Sequence, residues 1–68
     1  MGQQDVLNVL ENANGKKMSA KEISIELGRS HNNVNKVIKR LVLSGFIDFE
    51  IREISYAPGR VKFYYIKD

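Results

Sequence analysis

Cysteine is absent from the 68 residues, which excludes a disulfide framework or a thiolate metal site as the staple of a small fold and leaves the redox compartment open. A single histidine, with acids scattered along the sequence, falls short of the ligand count of a dedicated metal centre. No metal or other cofactor is expected. No apolar run approaches the length of a membrane span, and the opening M-G-Q-Q-D-V has no basic segment ahead of a hydrophobic stretch. Neither a membrane span nor a secretion signal is therefore expected, and the expected location is cytoplasmic. Also missing are a Gly-rich phosphate loop, a Ser or Cys nucleophile with a base partner, and a metal-spaced cluster. Glu22 and Glu26 lie one turn apart, but such pairs ordinarily face solvent. The chain is not expected to be an enzyme, and no small-molecule ligand is evident.

The most informative absence is local. Between residues 27 and 47 there is no Asp or Glu, although eight acids are spread over the rest of the chain. Arg29, Lys36, Lys39 and Arg40 fall inside this window, whereas the other seven basic residues are nearly cancelled by the acids. A net charge of +3 is weak evidence for a polyanionic partner; its concentration in one segment is stronger. A helix selected for solubility alone would mix signs, because Glu-to-Lys pairs at i,i+4 add stability.

What is present in that window is a helix. Val34, Val37, Ile38 and Leu41 recur at three- and four-residue steps and form one apolar stripe. Asn32, Lys36, Lys39 and Arg40 gather opposite, flanked by Arg29, Asn33 and Asn35. Ser30 is the expected N-cap and Gly45 the left-handed stop, giving about four turns. A second helix precedes it, opened by the capping box Ser19-Ala20-Lys21-Glu22 and running to Leu27, with Ala20, Ile23 and Leu27 inward and Ile25 exposed. Gly28 allows the tight turn between them, which reads as helix-turn-helix.

Residues 3–14 have Val6, Leu7, Leu10 and Ala13 at helical spacing, with Asp5 in the first turn and Asn14-Gly15 as the stop. Met18 is the residue of the following linker that can pack inward, in a bridging strand at most. After Gly45 the period becomes two: Ile47, Phe49 and Ile51 alternate with Asp48, Glu50 and Arg52. Residues 55–60, with Pro58-Gly59, supply a turn, and a second strand runs over residues 61–66. The expectation is that its Val61, Phe63 and Tyr65 are buried. Asp48, Glu50 and Glu53 are expected on the solvated outer face of the first strand. The fold class is thus α+β, mainly α: one domain over residues 1–68, with a three-helix core and a C-terminal β-hairpin wing. A domain this small buries only about 60% of the surface its unfolded chain exposes.

The run L-G-R-S-H-N-N-V-N-K-V-I-K-R-L-V-L-S-G-F-I, residues 27–47, resembles the helix-turn-helix core of winged-helix transcriptional regulators of the MarR and ArsR type. With M-S-A-K-E-I before it and the hairpin after it, the resemblance covers residues 18–66. It implies a prokaryotic DNA-binding protein whose third helix enters the major groove. His31, Asn32, Asn33, Asn35 and Lys36 would meet base edges; Arg29, Lys39 and Arg40 would meet phosphates; Arg60 would lie at the wing tip, near a minor groove or backbone. Ser30 caps that helix beside the same surface. Two features depart from the pattern: the additional helices through which those regulators dimerise are lacking, and Val42 and Leu43 stand where charges are common. A second resemblance is to winged domains that bind left-handed nucleic acid through an Asn and a Tyr one turn apart; Asn35 matches the Asn, but Lys39 replaces the Tyr.

Asparagine can bond bidentately to the N6/N7 edge of adenine, yet it is also common in first turns because it caps the backbone. Asn32 and Asn35 are preferred over Asn33 as base readers. The expected function is sequence-specific binding of double-stranded DNA by a small transcriptional regulator, with a homodimer as an expected assembly. The competing reading is a protein-interaction module docking on transcription or replication machinery through Ile25, Leu43, Tyr56 and Tyr64.

Overall fold

The computed structural model describes residues 2–53 and 59–67. Helix α1 (Gln3–Asn12) begins where the Asp5 carboxylate accepts a hydrogen bond from the Gly2 N–H at 3.0 Å. This satisfies a free donor and places negative charge at the positive end of the helix dipole. Val6 and Leu10 are buried, and Asn14 and Gly15, both at positive φ, turn the chain away. Met18 does face inward, in the two-residue strand β1 (Met18–Ser19).

Helix α2 (Ala20–Leu27) opens with the capping box in full: the Ser19 N–H donates to Glu22 Oε1 at 3.0 Å and the Glu22 N–H to Ser19 Oγ at 3.2 Å. Gly28, at φ 63°, closes it, with the Gly28 and Arg29 N–H groups donating to the carbonyls of Ile25 and Ser24. This left-handed stop turns the chain at once into α3 (His31–Leu43), whose first turn is capped by Ser30 Oγ accepting from the Asn33 N–H at 3.2 Å. Gly45, at φ 81°, ends α3 in the same way: the N–H groups of Gly45 and Phe46 reach back to the carbonyls of Val42 and Leu41.

The inner stripes of the helices meet in one core. Val34, Ile38 and Leu41 of α3 pack with Ile23 and Ala20 of α2, Val6 and Leu10 of α1, and Met18, Ile47 and Tyr64 from the sheet. Val37 is partly buried against the same cluster. So is Leu27, on the inward side expected of it; Ser24 of α2 is also buried, with its hydroxyl donating to the Lys21 carbonyl at 2.7 Å. Ile25 is 70% exposed, as its place on the helix wheel requires.

Strands β2 (Ile47–Glu53) and β3 (Arg60–Ile66) form the wing, and β1 pairs with β3 on its other edge, giving an antiparallel order β1-β3-β2. Of the turn expected over residues 55–60, residues 55–58 lie outside the described residues. The sheet corrects the expected face of the second strand. Ile66 stands opposite Ile47, and Tyr64 stands between Phe49 and Met18, so Lys62, Tyr64 and Ile66 face the helices. Val61, Phe63 and Tyr65 share the outer face with Asp48 and Glu50. Tyr64 is 9% exposed and stacks at a tilt on Phe49, ring centroids 5.8 Å apart. Ile51 lies on the inner side but is 50% exposed, because among the described residues the helices do not extend beneath this part of the hairpin. Strand alternation likewise puts Glu53 on the inner side, opposite Arg60, and not with Asp48 and Glu50.

Candidate nucleic-acid interface

The inner stripe of α3 is held by the core, so its outer side is fixed in space. Asn32, Lys36 and Lys39 project directly away from the core, Asn33 and Arg40 lie on one flank, and His31 and Asn35 lie on the flank nearest the wing. All are exposed except Asn35, which is half-buried. Arg29 and Ser30 sit at the N-terminal end of the same surface; Ser30 Oγ accepts from the helix, and its O–H stays available to donate.

A groove of about 1100 Å³ separates this helix from the wing. His31, Asn35, Lys36 and Lys39 form one wall, the start of α2 with Lys21 and Glu22 closes one end, and β3 supplies Arg60 and Lys62 on the other wall. Arg29, Ser30, Asn32, Asn33 and Arg40 are not part of it; they continue the basic surface on the far side of α3. Lys21 and Lys62 were not expected from sequence. Each is an isolated lysine in its own element, and only the packing of β3 across the start of α2 brings both to the groove carrying the third-helix cations.

The charges of the groove and of the adjoining side of α3 are largely uncommitted. Among the described residues, none of Lys21, Arg29, Lys36, Lys39, Arg40 and Lys62 forms an ion pair. Glu22, the acid at the groove, is tied to the Ser19 N–H. Arg60 approaches Glu53 only to 3.9 Å, with both side chains more than 70% exposed, a contact of little energetic weight. Lys62 lies over the Phe49 ring at 4.7 Å from its centroid.

The outer face of the sheet is arranged differently. Lys17 and Arg52 both reach the Glu50 carboxylate, at 2.8 and 2.6 Å, while Lys17 also covers the Tyr65 ring and Arg52 the Phe63 ring, each at 4.8 Å. Hydrogen bonds from Arg52 first, and then from Lys17, hold the Glu50 carboxyl down to about 2 from its ordinary 4.5. Asp48 accepts from the Phe49 N–H at 2.8 Å. Asp48 and Glu50, the two acids on this face, are thus satisfied within the protein.

Among the described residues, the exposed large apolar side chains are Ile25, Leu43, Phe46 and Ile51. Tyr64, expected as a surface residue, is instead core, and its burial raises its pKa; Tyr56 lies outside the described residues. Among the described residues no helix is long and apolar enough to cross a membrane, and no cluster of metal-ligating side chains forms. A family model described as winged helix-turn-helix DNA-binding matches residues 3–48, from α1 into the start of β2. No curated protein and no solved structure matches the chain.

Proposed function

The chain belongs to the winged helix-turn-helix DNA-binding family, and from that premise we propose that it is a sequence-specific double-stranded DNA-binding protein, a small transcriptional regulator of prokaryotic type acting in the cytoplasm. The observation that carries this reading is the outer side of α3, where amides and exposed cations stand with no acid among them and, among the described residues, no ion pair. An α-helix fits the major groove, which is about 12 Å wide. In that position the amide of Asn32 or Asn35 can donate to adenine N7 and accept from the adenine N6 amino group, with His31, Asn33 and Lys36 beside them. Arg29, Lys39 and Arg40 meet phosphates, Ser30 donates its O–H to one, and Arg60 approaches from the wing.

Four or five such phosphate contacts give a fall of log K with log salt of slope near −4, from roughly −0.9 per phosphate. Two copies related by a two-fold axis would read half-sites one helical turn apart, about 34 Å. Leu43 and Phe46, 87% and 54% exposed at the end of α3, favour a second copy or another protein on that side. Docking on a larger assembly is the second reading, and it rests on these residues with Ile25.

The test is selection of bound duplexes from a random pool, followed by Asn35→Ala combined with Lys36→Ala. A recovered motif whose binding the double variant loses supports the reading. Recovery of no motif, or binding that the double variant leaves unchanged, removes α3 as the reader.

A further inference from the structure

The groove between α3 and β3 has a consequence for how the duplex is held, and this rests on the DNA-binding reading above. Where a helix occupies the major groove of B-form DNA and a wing approaches the neighbouring minor groove, one sugar-phosphate strand separates the two elements. That strand must run between α3 and β3. Lys21 from the first turn of α2 and Lys62 from β3 line this cleft together with Lys36 and Lys39. Neither Lys21 nor Lys62 is in an ion pair among the described residues, and both are exposed.

We infer that Lys21 and Lys62 are phosphate-binding residues that seat this crossing strand, and that Phe49 is a positioning residue for Lys62. The ring of Phe49 is wedged against Tyr64 on the inner side of the wing, and the Lys62 ammonium rests on it at 4.7 Å. A lysine on a projecting hairpin otherwise samples many rotamers and loses that freedom when it binds. The aromatic face attracts the cation without neutralising it, so Lys62 is pre-placed beside the cleft and keeps its charge for phosphate. On the opposite side of the same sheet Lys17 and Arg52 also lie over rings, but both are spent on Glu50. What sets Lys62 apart, among the described residues, is a ring without a paired carboxylate.

The experiment measures binding of the full chain to a short mixed-sequence duplex over a series of salt concentrations. Lys21→Gln and Lys62→Gln are each expected to reduce the log–log slope by about 0.9, the share of one phosphate. Phe49→Leu, with folding checked by thermal melting, is expected to remove part of the Lys62 share, so that adding Lys62→Gln changes less than it does in the wild type; Phe49→Tyr keeps the ring and is expected to retain the wild-type slope. If the wild type binds duplex while both Gln variants keep its slope, the seating is overturned and the DNA-binding reading survives. If the wild type binds no duplex, both fall. If Lys62→Gln has its full effect in the Phe49→Leu background, the positioning role of Phe49 is overturned.

Discussion

The two sides of the wing carry similar residues to opposite ends. On the outer face, Lys17 and Arg52 converge on Glu50 and cover Tyr65 and Phe63, so their charge is consumed inside the protein. On the inner side, Lys62 with Lys36 and Lys39 of α3 faces a groove whose acid, Glu22, is occupied with capping α2. The difference teaches that basic residues are informative when the nearby acids are already accounted for. A count of lysines would not separate Lys17 from Lys62; their partners do.

The comparison breaks most severely if the scaffold under α3 is weakened. Ile38 is 1% exposed at the centre of the core, and Ile38→Ala is expected to cost about 2–5 kcal/mol, read as a lowered melting temperature with DNA binding lost in parallel. A direct contrast follows from paired variants. Lys36→Ala with Lys39→Ala is expected to weaken duplex binding by about two orders of magnitude, taking roughly 1.5 kcal/mol for each charged hydrogen bond lost. Lys17→Ala with Arg52→Ala should leave affinity within about two-fold, because those cations are turned away from the groove, the contribution of such exposed pairs to stability being small. Equal losses in the two pairs would erase the distinction.

A smaller change sharpens the same point by separating stability from function. Asn32→Asp places a carboxylate in the first turn of α3, where the helix dipole favours it by about 0.3–1 kcal/mol. Melting temperature is therefore expected to hold or rise slightly, while a titration of labelled duplex reads about ten-fold weaker binding from repulsion at the phosphate surface. The smallest effect belongs to Glu50. Its folded-state pKa is depressed, so the stabilisation from Arg52 and Lys17 is present above about 4.5 and lost as pH falls through about 2. The melting difference between wild type and Glu50→Gln should be constant near neutrality and shrink to nothing across that acid window; a difference that persists below it would remove Glu50 ionisation as the cause.

Much of this arrangement was legible in the sequence because its determinants are local. The Ser19–Glu22 box, the Ser30 cap, the exposure of Ile25 and the inner stripe of α3 each depend on residues a turn or less apart, and all appear where the spacing puts them. The face of β3 was not legible. Both of its sides carry large residues, and the side that is buried begins with two cations, Arg60 and Lys62. The choice is made by partners distant in the chain, Met18 and Phe49 against Tyr64 and Ile47 against Ile66. Ile51 lies on the side that alternation gives it yet is 50% exposed, because alternation gives the side of a strand but not how far the helices extend beneath it. The acid-free strip was visible from sequence, yet the groove was not, since Lys21 and Lys62 acquire a shared meaning only after β3 packs across the start of α2.

The central claim, that the uncommitted cations of α3 and its groove meet a polyanion, is tested most directly by the salt dependence of duplex binding by the wild-type protein. The expected result is a linear fall of log K with log salt at a slope of about −4 or steeper. An affinity that does not change with salt would contradict it.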